Sequence, residues 1–150
     1  MNPPLPQPPI PPQLVEAALA EVRRAGLSLP ETVERLSHGA PSFFAGGKKC
    51  FVMFLDDHHG DGRLALWVAA PPGVQAEQVD DDPDRFFVPP YVGGRGWLGV
   101  RLDRDPDWDE VGSIVTEAWR CVAPKKLVAQ FDAQASAPSP AQHRAANPVQ

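Results

Sequence analysis

The stretch "KCFVMFLDDHHGDGRLALWVAA", residues 49–70, decides the fold class. Two runs rich in apolar, β-branched and aromatic residues flank a short segment of Asp, His and Gly, which is typical of two strands joined by a turn. The connection is too short for a parallel crossover, so the strands are predicted to be antiparallel. Because "KCFVMFL" is apolar at both alternating sets of positions, we expect a sheet that is covered on both faces.

Further strands are predicted on both sides of this hairpin. "SFFA", residues 42–45, precedes it and is joined to it by the turn "GGK", while "GWLGVRLD", residues 96–103, alternates like a strand farther along the chain. The short loops again favour antiparallel pairing.

Helices are predicted around these strands. Apolar residues recur at helical spacing over residues 14–25, including Leu14, Ala18 and Val22, and Gly26 is expected to end that helix. Pro30 is expected to start a short helical turn, and another helix is predicted from Val74 to about Asp81.

The clearest helix comes last. Asp105 is the predicted N-cap and Pro106 the first helical residue. Apolar residues then recur three and four positions apart, and Pro124 breaks or restarts the helix; they are Trp108, Val111, Val115, Ala118 and Val122. The predicted order α-β-β-β-α-β-α indicates an α+β fold, with a twisted antiparallel sheet and packed helices.

Composition predicts one folded domain between two tails. Residues 1–12 are rich in proline, which cannot donate regular backbone hydrogen bonds, so we expect them to be disordered. Residues 132–150 consist mainly of Ala, Ser, Pro and Gln, with too few large apolar groups to offset the entropy of ordering. The folded domain is therefore predicted to span residues 13–131.

The charge and the cysteines limit the function classes. The net charge is −5, so binding of nucleic acid would need a local basic face. The N-terminus lacks a basic start and an apolar core of signal-peptide type, and no apolar run suits a membrane span, so we expect a cytoplasmic protein without a membrane partner. Cys50 and Cys121 are expected to be reduced, and their spacing fits no zinc site. We predict no cofactor and no metal.

Three glycines form a nucleotide-binding pattern without its context. Gly94, Gly96 and Gly99 match G-x-G-x-x-G. A dinucleotide fingerprint must follow a strand and open a helix, because the pyrophosphate sits at the helix N-terminus. Here the glycines precede a predicted strand, which favours a sharp turn in the chain instead.

Two segments contain residue types that bind metals or act in catalysis. Asp57, His58, His59 and Asp61 cluster in "DDHHGDG". As an EF-hand, the segment fails because its third position is His59 and Val68 stands where the closing Glu belongs, so a solvated hairpin loop is favoured.

His38 could act as a base, with Ser37 or Cys50 as the nucleophile. No sequence rule places these three groups together, and a hydrogen-bonded histidine in a turn is favoured. We assign no catalytic residue. A separate acidic run is interpreted as a solvated loop or helix end; it comprises Asp80, Asp81, Asp82 and Asp84.

Two predicted strands place an arginine and a tryptophan on the same side of the sheet. Alternation puts Arg63 with Trp67 on one strand, and Trp97 with Arg101 on the other. Aromatic rings can stack on bases and guanidinium groups can bind phosphate. The alternative is that a helix covers both tryptophans, because large aromatic residues mostly lie in the core.

Several segments together resemble the MmcQ/YjbR family of small bacterial proteins, from about Leu14 to Leu127. They are "LPETVERLSHGAPSFFAGGKKCFVMF", "FFVPPYVGGRGWLGV" and "DWDEVGSIVTEAWRCVAPKKL". The resemblance implies a twisted antiparallel sheet like that of frataxin-related and secretion-chaperone-related proteins. It also implies a proposed DNA-binding role, in which the fold is called a double wing.

Three functions stay open at this point. The first is a non-enzymatic module that binds nucleic acid, with DNA as a possible partner and with Trp67 or Trp97 stacking on bases. Its phosphate contacts would come from Lys48, Lys49, Arg63, Arg95, Arg101, Lys125 and Lys126. The second is a chaperone-like adaptor that binds another protein. The third is a ligand binder or enzyme with a pocket near His38, Tyr91 and Trp97.

Overall fold

A computed structural model describes residues 10–136. The helices are α1 (Pro12–Leu27), α2 (Val74–Asp81), α3 (Trp108–Val122) and α4 (Lys125–Ser136). The strands are β1 (Thr32–Ser37), β2 (Ala40–Ala45), β3 (Lys49–Asp56), β4 (Leu64–Val68), β5 (Phe86–Phe87) and β6 (Leu98–Arg101). The predicted α+β fold class is confirmed.

The strands form one six-stranded antiparallel sheet in the order β1-β2-β3-β4-β6-β5. Residues paired across antiparallel strands point to the same face, so the register sorts the side chains. The first face carries the row Phe43, Val52, Val68 and Leu98. The second face carries the row Ser42, Met53, Trp67, Gly99 and Phe87.

Helices α1 and α3 cover the first face. Gly26 of α1 lies so close to Phe43 that an added Cβ would be 3.0 Å from the ring. Helix α3 contacts α1, β3 and β4, and its Trp119 is fully buried. The apolar residues between these layers form the core that the helical periodicity predicted.

A turn and a loop cover much of the second face. The His58 ring, in the β3–β4 turn, lies 4.8 Å from Trp67, and Tyr91, in the β5–β6 loop, lies 6.4 Å from it. The Arg63 guanidinium lies 4.1 Å from the centre of the Phe87 ring. The prediction of a sheet covered on both faces is therefore only partly confirmed: the second layer is largely loop, and Cys50 and Met53 of β3 stay half-buried beneath it.

The predicted helical turn at Pro30 is wrong, because residues 32–37 form strand β1. Its backbone pairs with β2 along its whole length, from Thr32 opposite Ala45 to Ser37 opposite Ala40. Thr32 and Glu34 are half-buried on the side that faces α1, and Arg23 of α1 donates to Glu34. Pairing and packing thus outweigh the local preference for a helical turn.

Two helix boundaries also differ from the predictions. Helix α1 continues through Gly26, which is buried, and the predicted apolar Leu14 is 59% exposed. Asp107, not Asp105, caps α3: its carboxylate accepts hydrogen bonds from the backbone N–H groups of Asp109 and Glu110. Asp105 instead adopts a positive φ of 50°.

The chain restarts as a helix after Pro124, one of the two outcomes expected there. Helix α4 continues to Ser136, past the domain boundary at residue 131 that composition suggested. Phe131 explains part of this extension, because its ring packs edge-on against Trp119 at 5.3 Å. The predicted tails at 1–12 and 132–150 otherwise lie mostly outside the described residues.

Candidate functional site

Four of the seven predicted phosphate-binding residues meet at one groove. Lys48 and Lys49 follow the β2–β3 turn, and Lys125 and Lys126 begin α4, yet all four line the same groove of about 730 Å³. Their side chains are exposed. We call this feature the lysine groove. Its apolar lining comes from Ala45, Val122, Ala123, Pro124 and Leu127.

The β2–β3 turn is built by glycine. Gly46 and Gly47 both have positive φ, at 60° and 71°, and the Lys48 N–H donates to the Ala45 carbonyl at 3.1 Å. A tight turn with positive φ at both central residues suits glycine, which adopts this conformation without steric cost. The "GGK" segment predicted as a turn therefore places two lysines at the sheet end.

The same turn contacts the junction between α3 and α4. A Cβ added to Gly46 would lie 3.8 Å from the Pro124 ring. The Pro124 carbonyl accepts a hydrogen bond from the Val128 N–H at 3.1 Å, as at the start of a helix. The first N–H groups of α4 have no partner within the helix, so they add partial positive charge beside Lys125 and Lys126.

The groove is locally positive although the chain is acidic. Among the described residues, no carboxylate lies within 4.0 Å of any of the four lysine ammonium groups. Glu31 is the one carboxylate among the residues that line the groove. Its position was not predicted, because Glu31 enters the groove only through the pairing of β1 with β2.

Cys121 also lines the groove, but its thiol is not activated. Burial and the nearby charge of Glu117 raise its pKa. Burial is also the main reason that the pKa of Cys50 is raised. A raised pKa keeps each thiol protonated and poorly nucleophilic.

Arg95 lies at the same end of the sheet as the lysine groove. Its charge, together with that of Arg35, acts on Cys50 and lowers the pKa of that thiol against the larger effect of burial. Gln75 of α2 fixes the Arg95 loop, because its side-chain amide donates to the carbonyls of Gly93 and Trp97 at 2.7 and 2.6 Å.

Arg63 and Arg101 lie toward the opposite end of the strands. Arg101 pairs with Asp103 at 2.8 Å, and its side chain is 16% exposed. The surrounding carboxylates of Asp61 and Asp84 further raise the pKa of Arg101. The seven predicted phosphate-binding residues therefore lie at two ends of the sheet. The four lysines and Arg95 lie at the end with the lysine groove, whereas Arg63 and Arg101 lie at the end where carboxylates are close.

The tryptophans do not form an open stacking surface. Trp67 is 2% exposed and Trp97 is 4% exposed. Of the two alternatives that the sequence left open, the covered one is found, although Trp67 is covered by His58 and Tyr91 rather than by a helix. Arg95 lies over Trp97 at 5.3 Å from the ring centre.

The glycine pattern has a structural explanation. Gly96 has a φ of 84°, in the loop that leads into β6. At Gly99 an added Cβ would lie 2.5 Å from the Phe87 ring, so only glycine lets β5 and β6 pair with that ring in place. The pattern leads into strand β6, as predicted; its one helical turn, the 3-10 segment Gly93–Arg95, is followed by that strand and not by an α-helix.

The alternative pocket was predicted near His38, Tyr91 and Trp97. Within the described residues, these three side chains make no contacts with one another. His38 is exposed in the β1–β2 turn with a φ of 51°, and its side chain makes none of the hydrogen bonds found there. The turn was predicted correctly, but the expected hydrogen bond is missing. Tyr91 is 79% exposed and contacts His58 at 6.0 Å.

The proposed pairing of His38 with Cys50 is also not formed. Cys50 pairs with Phe44, and Phe44 pairs with Val33. His38 follows Val33 by five residues along an extended strand, which corresponds to about 16 Å. Ser37 is the neighbour of His38 in the chain, but no hydrogen bond joins their side chains among the described residues.

The "DDHHGDG" segment forms a closed turn. Asp57 accepts a hydrogen bond from the Gly62 N–H at 2.8 Å, and Asp61 accepts one from the Arg63 N–H at 2.9 Å. These carboxylates are thus used to cap the turn. In the part of the chain that is described, no three His, Cys, Asp or Glu side chains are arranged to hold a metal ion.

The acidic run ends α2 and lies beside the other edge of the sheet. Helix α2 contacts β5, while the lysine groove adjoins β2 and β3. Three strand spacings separate β3 from β5, or about 14 Å. Asp82 and Asp84 are paired with Arg85 and Arg104, at 3.4 and 3.6 Å. The run therefore does not border the groove.

Fold and site together define a small α+β domain with helices on one face of an antiparallel sheet and a cationic groove at one sheet end. The chain belongs to the YjbR family, whose model matches residues 27–121. No curated protein matches the chain. Within residues 10–136, none of the helices has the length and apolarity needed to cross a membrane.

One solved structure shows the same fold. It is the crystal structure of protein DR2400 from Deinococcus radiodurans, described with domain DUF419. The two chains are 17% identical, and the match covers 69% of this chain and 77% of that one with a TM-score of 0.58. At this identity the likeness supports the fold alone.

Proposed function

We propose that this chain is a non-enzymatic module that binds DNA through the lysine groove. One observation carries the proposal: two segments far apart in sequence bring Lys48, Lys49, Lys125 and Lys126 to one groove in a chain of net charge −5. Such local concentration of unpaired cations attracts phosphate groups. Their exposed side chains can adapt to successive phosphates along a backbone.

The residues of the groove favour binding to the phosphate backbone of DNA over recognition of its base sequence. Lysine ammonium groups and helix N–H groups bind phosphate, whereas specific base recognition commonly uses bidentate side chains. The thiols with raised pKa and the distance from His38 to Cys50 provide no activated nucleophile. We therefore propose binding without a chemical step.

Binding can be tested by fluorescence anisotropy with labelled duplex and single-stranded DNA at increasing salt. Affinity should fall steeply between about 50 and 200 mM salt, because bound phosphates release counterions. Lys125→Ala/Lys126→Ala should weaken binding to all sequences and flatten the salt slope by up to about two units.

A matched control removes two positive charges elsewhere. Arg24→Ala/Arg104→Ala changes the net charge equally, but both residues lie outside the groove lining. It should leave the salt slope nearly unchanged. Equal effects of the two double variants, or no binding by the wild type at low salt, would refute the proposal.

A protein-binding function is the second candidate, favoured by edge strand β1. Leu36 is 72% exposed and Val33 is 41% exposed on this strand. An exposed apolar edge strand can pair with another chain. If the protein binds no nucleic acid, Leu36→Lys should abolish association with a protein partner.

A further inference from the structure

The second face of the sheet has a part that the turn and the loop do not bury. Phe44, Cys50 and Met53 are half-buried there, whereas Trp67 and Phe87 farther along the sheet are buried. Val33 of β1 is exposed beside Phe44, its partner in the register. We call the part formed by Val33, Phe44, Cys50 and Met53 the open strip.

An arginine already lies over this strip. The Arg35 Cζ is 3.9 Å from the centre of the Phe44 ring. Its Nη1 donates to the Gly47 carbonyl at 3.0 Å. The guanidinium is thus positioned by both the Phe44 ring and this hydrogen bond. The residue is exposed to solvent. A guanidinium plane ordered in this way can stack on a base.

A continuous set of contacts joins Arg35 to the lysine groove. Arg35 donates to Gly47, and the neighbouring Gly46 lines the groove together with Pro124, which precedes Lys125. A Cβ added at Gly47 would meet nothing within 4 Å, so the space over the turn is open. A strand with phosphates in the groove can therefore cross the turn and bring a base to the open strip.

Arg95 gives the strip a second cation. Both Arg35 and Arg95 are close enough to Cys50 to lower the pKa of its thiol, against the larger effect of burial. Ser42, the buried hydroxyl in this part of the sheet, donates to the Ala40 carbonyl at 3.0 Å. Because Ser42 is fully buried, it cannot reach the 2′-hydroxyl that distinguishes RNA.

We propose that the ligand is single-stranded DNA, with its phosphates in the lysine groove and one base stacked on the Arg35 guanidinium over Phe44. This inference rests on the proposed function and adds the strandedness of the ligand. In a duplex the base faces are already stacked on each other, so only a single strand can use this platform.

The experiment compares a thymidine oligonucleotide of about 12 nucleotides with a duplex and an RNA of the same length. Single-stranded DNA should bind about tenfold more tightly than the duplex and at least as tightly as the RNA. Arg35→Lys retains the charge but removes the planar group, so it should weaken single-strand binding at least about fivefold. Binding of the duplex should not change.

Arg24→Lys is the matched control, because Arg24 is an exposed arginine of α1 on the other side of the sheet, paired with Glu21. Phe44→Leu keeps the apolar support without an aromatic ring and should weaken single-strand binding in the same direction. Thermal melting checks that each variant is folded.

Equal affinity for duplex and single strand, an unaffected Arg35→Lys variant, or tighter binding to RNA would overturn this inference. In that case the double lysine variant could still reduce binding, and the proposed function would stand. Absence of binding to every nucleic acid would instead remove both.

Discussion

At the scale of single residues, Gly99 shows how a motif-like glycine can be required by packing alone. Its backbone pairs with Trp67 on one side and with Phe87 of the edge strand β5 on the other. The Phe87 ring folds over it, and Arg63 stacks on the ring at 4.1 Å. The glycine is thus a feature of the β5–β6 contact, and the nucleotide pattern around it is coincidental.

Gly99→Ala should destabilise the protein by about 1–3 kcal/mol, because the new methyl group overlaps the Phe87 ring and forces it to move. Urea unfolding measures the change. In a Phe87→Leu background the same substitution should cost clearly less, since the smaller side chain leaves room. Equal costs in both backgrounds would mean that the ring contact is not the cause.

Arg101 and Asp103 illustrate a second residue-scale effect. Burial alone raises the pKa of Asp103, but the hydrogen bond and the charge of Arg101 outweigh it, so this pKa is below its usual range. The pair therefore stabilises the fold above the unfolded-state pKa of Asp, about 3.9. This stabilisation is lost as the pH falls through the lower pKa of the folded state.

Asp103→Asn should consequently reduce the free energy of unfolding at neutral pH by about 1.5–3 kcal/mol, the usual range for hydrogen bonds to charged groups. The difference from wild type should shrink progressively below about pH 4. Urea titrations at several pH values test this, and a difference that is independent of pH would contradict the assigned ion pair.

At the scale of elements, the strands and the amphipathic helix could be predicted because their burial pattern is local in the sequence. The apolar runs "KCFVMFL" and "RLALWVAA" coincide closely with β3 and β4, and α2 has the predicted bounds Val74–Asp81. Strand β1 could not be predicted in this way, because Thr32 and Glu34 gain their burial only from β2 and α1. The two-residue β5 is too short to give a periodic signal.

Helix α4 depends on contacts with α3. Phe131 packs on Trp119, and Arg120 donates to Asp132 at 2.6 Å. Phe131→Ala should cost about 1–3 kcal/mol, less than a fully buried Phe, because the ring is half exposed. Amide exchange should show faster exchange over α4 than over α1, and DNA binding should weaken although no lysine is changed. Gln134→Ala, at an exposed position of the same helix, is the control.

At the scale of the whole molecule, the separation of charge matters more than its sum. The lysines could be identified as candidates from the sequence, but their convergence depends on the β2–β3 turn meeting the α3–α4 junction. Arg35 could not be predicted as a site residue for the same reason. It lies over Phe44 only because β1 pairs with β2. For Trp67 and Trp97, alternation in the sequence correctly predicted that they share a face of the sheet. It could not predict that the β3–β4 turn and the β5–β6 loop cover that face.

This separation predicts different effects for carboxylates near to and far from the groove. Glu31→Gln removes the one carboxylate of the groove lining, whereas Asp81→Asn removes an equal charge from the end of α2, beside β5. At physiological salt the Debye length is about 8 Å, shorter than the spacing of about 14 Å between β3 and β5. Glu31→Gln should therefore strengthen DNA binding by up to about fivefold, and Asp81→Asn should have little effect.

At low salt both variants should bind more tightly than the wild type, because screening is weaker. Anisotropy titrations at two salt concentrations measure both effects, and an equal gain from Asp81→Asn at physiological salt would place the DNA beside the acidic run instead.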